Sequence, residues 1–266
     1  MKLGQQSIAI LFLVITTIFA HPVRAEHSHQ PRFRVIAIAE EGGIHKPFVD
    51  AAKQWLAKES RANHFTVDYI TNTNRINAAF LAHYQLFIQL NYPPYNWTST
   101  AKEAFAHAIE QGTIGWIGFH HAALLGEFDG FSMWPWFSSF MGDIRFTQYI
   151  PTFATGTVHV EAPDHPALRG LPESFVIENE EWYTWSRSPR PNVHVLASVD
   201  ESTYSPDTPI KMGDHPVVWS NENVKARNIY IFMGHHAELF ENGAFILLFH
   251  NAILWASAAQ ERKGPR

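Results

Sequence analysis

The sequence predicts an α/β fold: a doubly wound, mostly parallel sheet with helices on both faces. Three observations predict it. Apolar, β-branched runs alternate with segments of helical periodicity through the first half of the chain. The runs are apolar throughout rather than at every second residue, as strands buried on both faces must be. The segments between them are long enough for right-handed crossovers joining parallel neighbours.

Residues 33–39 (FRVIAIA) read as the first buried strand. Residues 40–45 form a Gly-rich turn, and Pro47 suits the first turn of a helix. Phe48, Ala52 and Trp55, flanked by Val49 and Leu56, then recur at helical spacing. Residues 65–70 read as a second strand, 74–83 as a short helix and 85–90 (QLFIQL) as a third strand. Thr100 and Glu103 are spaced as a capping box for a helix carrying Phe105, Ala108 and Ile109 and ending at Gly112. Residues 113–119 (TIGWIGF) make a fourth strand whose glycines allow close backbone approach.

The second half is less regular. Residues 126–146 are rich in Trp, Phe and Gly and read as a packed excursion. Strand candidates follow at 155–160, 193–198, 217–220 and 228–233, and 240–258 reads as an amphipathic helix covering one sheet face. Asp164-His-Pro and Asp214-His-Pro read as turns, because the residue before proline is pushed out of the helical region.

The N-terminus reads as a signal peptide over residues 1–25. Lys2 is basic, residues 8–19 are apolar apart from Thr16 and Thr17, and Val23-Arg24-Ala25 has the form of a cleavage site. Such a run is too short to span a bilayer. The expectation is therefore a periplasmic or secreted mature chain starting near Glu26, with no membrane insertion after cleavage and a single domain over 33–258. Losing Lys2 and Arg24 moves the net charge from −5 to −7, which disfavours nucleic acid and anionic membranes as partners. The chain has no cysteine, so disulfides, thiolate zinc ligands and cysteine nucleophiles are all excluded.

Chemistry must then come from histidines, carboxylates, hydroxyls or a metal. In an open parallel sheet ligands bind beyond the carboxyl ends of the strands. That rule selects His45, His120, His121, His235 and His236 from the 16 histidines. With a carboxylate such as Glu181 or Glu238, neutral imidazoles could hold zinc or a similar divalent ion. Equally, His120 and His235 could act as general acid and base without a metal. In each adjacent histidine pair one ring is expected to face the site and the other to pack, and the sequence leaves open which of His235 and His236 faces inward. Glu180-Glu181 beside Trp182 and Tyr183, and Trp134 with Trp136, suggest an aromatic platform for a sugar ring, with the carboxylates bonding its hydroxyls.

Gly115-Trp-Ile-Gly-Phe-His120-His-Ala-Ala123, Trp134-Pro-Trp136, Gly170-Leu-Pro172, Glu181-Trp-Tyr183, His215-Pro-Val-Val-Trp219 and Gly234-His235-x-x-Glu238-x-Phe240 together resemble the ThuA-like (trehalose utilisation) family, in order over nearly the whole mature chain. The resemblance implies a flavodoxin-like fold related to class I glutamine amidotransferases, with Gly118-Phe-His120 standing where those enzymes carry a Gly-x-Cys elbow. With histidine there, no acyl-cysteine can form and glutaminase chemistry is excluded. The sequence departs from the family pattern at His121 and Leu124, where an acidic residue often follows the His-Ala-Ala stretch, and at Tyr149-Ile-Pro151, which lacks a histidine before the proline. The family resemblance implies a role in disaccharide or keto-sugar catabolism, with a small carbohydrate as partner and no nucleotide cofactor. His120, His235 and Glu181 are the candidate catalytic residues, and His120 and His235 the candidate metal ligands. His45, His121, Trp134, Trp136, Trp182, Tyr183 and Glu238 are the candidate substrate contacts. The enzyme reading, a hydrolase, lyase or isomerase, stands against a non-catalytic sugar-binding or complex-forming protein on the same scaffold.

Overall fold

The computed structural model describes residues 30–258; the expected signal peptide and the extreme C-terminal tail lie outside them. Five strands lie parallel in the order β2 (Thr66–Ile70), β1 (Arg34–Ala39), β3 (Leu86–Leu90), β4 (Gly115–Phe119) and β11 (Asn228–Ile231). By strand position this is the flavodoxin-like order 2-1-3-4-5. The sheet continues antiparallel through β10 (Pro216–Ser220), β9 (His194–Ser205), β6 (Ala154–Val160) and β7 (Ser174–Glu180). A two-stranded ribbon, β5 (Phe146–Tyr149) with β8 (Tyr183–Trp185), stands apart from it.

Helices cover both faces. On one lie α1 (Lys46–Asn63) and α5 (Gly243–Ser257), where Trp55 stacks on Phe249 and Phe119 of β4 packs edge-on to Phe249. On the other, α3 (Ser99–Gln111) presents Phe105 to Phe87 of β3, while Trp116 of β4 meets Phe137 and Phe140 of α4 (Pro135–Phe140). Alternate residues of β4 thus serve alternate faces, as strand geometry requires. The helix expected over 74–83 is only the short α2 (Ala78–Leu81), which starts where the Asn77 side chain accepts from Phe80 N. Each large side chain such as Phe48 or Leu56, buried completely, contributes about 1.5–3 kcal/mol.

Three further expectations shift. The cap of α3 is Thr98, whose hydroxyl accepts from Ala101 N, rather than a box at Thr100. The C-terminal helix starts only at Gly243, because Asn242 accepts from Ala244 N and Phe245 N, and residues 237–241 form a 3-10 turn instead. Strands β5, β7 and β8 carry no strong period in the sequence; each is held by its partner strand rather than by its own pattern. Among the described residues no helix is long and apolar enough to cross a membrane.

Candidate functional site

The carboxyl ends of the parallel strands converge on one buried cluster. His45 follows β1 at the entry to α1, and its ring makes no helix-cap hydrogen bond. His120 follows β4 directly, with φ at +38°, a conformation that non-glycine residues adopt only when their surroundings hold it. Three neighbours hold it. Tyr230 Oη donates to the His120 carbonyl at 2.9 Å. Gly234 passes so close that a Cβ there would lie 2.7 Å from that of His120. Asn91, directly after β3, donates to the Gly234 carbonyl at 2.6 Å and pins that approach. His235 follows β11. Glu181 comes from the connection between β7 and β8, just after Asn179, which has φ +54° near the end of β7.

His45, His120, Glu181 and His235 are all buried, and one ligand atom from each lies within 4.8 Å of every other. Glu181 Oε2 sits 3.3 Å from His120 Nε2, 3.4 Å from His235 Nδ1 and 3.8 Å from His45 Nε2. On the opposite side of its ring, His120 Nδ1 lies 3.2 Å from the Phe232 carbonyl oxygen. A carbonyl can only accept, so that nitrogen carries the proton and Nε2 presents a lone pair to the carboxylate. Neither His235 Nδ1 nor His45 Nε2 finds a hydrogen-bond partner.

Electrostatics sharpen the picture. Burial pushes the His120 pKa well below its ordinary value and that of His45 downward too, leaving both rings neutral near pH 7. Behind them Glu180 is fully buried. It accepts from Glu181 N at 3.0 Å and Gly234 N at 3.2 Å, and burial lifts its pKa to about 7. The carboxylates of Glu40, Glu180 and Glu181 pair with histidines and with no Lys or Arg among the described residues.

These donors fit a divalent ion. A tetrahedral ion bonded at about 2.0–2.1 Å separates neighbouring ligand atoms by about 3.3 Å, close to the 3.3 and 3.4 Å found around Glu181 Oε2. A cation at the centre would also satisfy the unpartnered nitrogens and replace the facing of lone pairs with bonds.

Of the residues expected from the sequence, the structure brings together His120, His235, Glu181, His45 and His121. His235 faces the cluster, while His236 turns toward Phe153 and is partly exposed. The tryptophan platform is corrected. Trp182 is fully buried, stacked between Phe232 and Tyr204, and donates to the Ala154 carbonyl at 2.7 Å. Trp134 is buried among Trp97, Phe105 and Phe137, and the partly exposed Trp136 donates to Glu110 of α3. Trp182 and Trp134 are core residues, because large indoles contribute most where they bury most area, and Trp136 packs half-buried against that core. Tyr183 is also buried, with its ring 4.4 Å from that of His120 and its hydroxyl toward Glu181, so it walls the cluster. Glu238 is exposed and contributes nothing to the cluster. The aromatic ring beside the cluster is Phe153, 4.4 Å from the His235 ring.

Sequence reasoning picked out Glu180 only as half of an acidic pair, and missed Glu40, Asn91 and the Phe232 carbonyl. Glu40 and Asn91 directly follow β1 and β3, so the strand-end rule that selected the histidines would have found both.

A family model described as ThuA, trehalose utilisation, matches residues 34–256. A putative ThuA-like protein from Bacteroides uniformis is 32% identical over 92% of this chain and 98% of its own, with a TM-score of 0.77. A putative ThuA-like protein from Parabacteroides merdae is 16% identical over 88% and 93%, with a TM-score of 0.57. A putative GMP synthase protein from Thermoplasma acidophilum, 11% identical over 87% and 96% with a TM-score of 0.53, shares the fold. Among curated proteins none matches the sequence.

Proposed function

Because the chain belongs to the ThuA (trehalose utilisation) family, we propose that it is an exported protein of carbohydrate catabolism that binds a disaccharide or keto-sugar at a metal centre. His45, His120, Glu181 and His235 are the ligands. The observation that carries this reading is the convergence itself: ligand atoms of all four residues lie within 4.8 Å of one another, and His45 Nε2 and His235 Nδ1 have no hydrogen-bond partner. The bound ion would polarise a sugar carbonyl or hydroxyl. The protein's own groups fix the ion and exclude water: Phe232 and Glu180 orient the ligand shell, and Tyr183 and Phe153 wall it.

Coordination number separates the two functional readings. Four protein ligands saturate tetrahedral zinc, which is the pattern of a structural site. An ion preferring five or six ligands keeps positions open for substrate, and three imidazoles with a carboxylate suit manganese, iron, cobalt or nickel. The catalytic reading therefore goes with a higher-coordinate ion, the binding-protein reading with zinc. Loss of cysteine excludes glutaminase activity in either case.

The test is elemental analysis of protein produced without a His tag, after incubation with manganese, zinc or calcium. One tightly held equivalent per chain is expected, absent from His120→Ala protein whose circular dichroism is unchanged. No metal in the wild type would overturn the reading. Melting curves with trehalose and its oxidised keto form then address the carbohydrate, which should raise the Tm of loaded protein only. Export is checked by N-terminal sequencing of the mature protein, expected to begin near Glu26.

A further inference from the structure

We infer that the pocket contains a second, weaker divalent-cation position made by Glu40, His45 and His121, sharing the His45 ring with the first. The inference rests on the metal reading of the first position and adds to it a two-cation centre.

The geometry begins at Glu40. Its Oε2 lies 3.0 Å from His121 Nδ1 and 3.8 Å from His45 Nδ1, and the three residues offer ligand atoms all within 4.8 Å of one another. The His45 and His121 rings meet edge-on with centroids 3.9 Å apart. A simple ion pair would align its proton with the acceptor, yet Glu40 Oε2 and His121 Nδ1 are both shielded from solvent and neither makes a hydrogen bond. Unpaired buried groups of this kind are costly and call for an explanation.

His45 gives the second argument. Its side chain is 5% exposed, and its two nitrogens face two different carboxylates, Nε2 toward Glu181 and Nδ1 toward Glu40. Were Glu40 merely the acceptor that orients a metal-bound His45, it would stand at hydrogen-bond distance from Nδ1, about 2.7–3.2 Å. It stands at 3.8 Å and closer to His121. Glu40 pairs only with histidines among the described residues, so no permanent cation neutralises it. Two imidazoles and one carboxylate are the donor set of an open, three-ligand zinc site.

Occupying both nitrogens of His45 requires its ring proton to leave. Uptake of the second ion therefore releases that proton to solvent, and the resulting bridging ring carries the negative charge that offsets part of the repulsion between the two cations. This cost, and the partial exposure of Glu40 and His121, make the second position the weaker.

The experiment is a titration of tag-free, chelator-stripped protein with Zn2+ and with Co2+, followed by calorimetry and equilibrium dialysis. Two equivalents per chain are expected, the second bound at least about tenfold more weakly. Glu40→Gln and His121→Ala should each abolish only the weaker one. His194→Ala, which removes the surface pair of His194 with Glu222, should leave both. A single equivalent in the wild type overturns this inference and leaves the first position standing. Two equivalents that survive both Glu40→Gln and His121→Ala, or a second one lost in His194→Ala, also overturn it. No binding at all overturns both readings together.

Discussion

Trp182 separates the packing account from the sugar-platform account. The side chain is fully buried between Phe232, at 5.3 Å and 13° between planes, and Tyr204, at 5.7 Å and 19°. Trp182→Ala removes both stacks and leaves a cavity, which costs about 3–5 kcal/mol for a buried tryptophan. It also removes the donor to the buried Ala154 carbonyl, which places the loss at the upper end of that range. Against a total stability of about 5–15 kcal/mol this is a severe loss. In a domain of this size it corresponds to a fall in Tm of about 10 °C or more. Trp182→Phe keeps much of the stacking and leaves Ala154 O unpaired, so it should cost about 1–3 kcal/mol. Urea unfolding followed by circular dichroism reads both, with an unchanged m-value as the control. A Trp182→Ala protein within about 1 kcal/mol of wild type, but with weakened sugar binding, would refute the core assignment.

Further predictions follow from the same geometry. Glu180, raised from 4.5 to about 7 in the folded state, binds its proton more tightly there than in the unfolded chain. Its contribution is complete below about pH 4.5 and lost as pH rises through 7, a change of about 3 kcal/mol. The stability difference between wild type and Glu180→Gln, measured in chelator by urea unfolding, should shift by that amount against the wild type over this range; a pH-independent difference would contradict it. Gly234→Ala places a methyl 2.7 Å from His120 Cβ and 3.0 Å from Asn91 Oδ1. It should cost about 1–3 kcal/mol in thermal or urea melts and weaken metal binding as His120 is displaced. His235→Ala should lower metal affinity by more than the roughly 100-fold upper end for residues that only orient ligands, whereas His236→Ala should leave it nearly unchanged. Both are read by competition with a chromophoric chelator.

Residues 33–119 were legible one segment at a time. A strand buried on both faces writes a continuous apolar run, α1 writes a 3.6-residue period, and Gly112 marks the end of α3 with a left-handed cap. The rule that ligands gather at the carboxyl ends of parallel strands then sufficed to pick His45, His120, His121 and the His235-His236 pair, because that rule needs only strand positions and direction. The absence of cysteine likewise settled the exclusion of thiol chemistry without any coordinates.

Tertiary structure decided the rest. Glu181 reaches the cluster because it joins β7 to β8, two strands placed by pairing with β6 and β5. His235 and His236 are indistinguishable in the sequence; the backbone leaving β11 turns one ring inward and the other toward Phe153. The tryptophans looked like a ligand platform because composition records an aromatic residue but not what covers it. A tautomer, a lone pair without a partner and a 3.3 Å separation exist only once residues far apart in the chain are folded onto one point. Local patterns therefore fixed the scaffold and nominated the histidines, while the convergence that gives them chemistry arose from long-range packing.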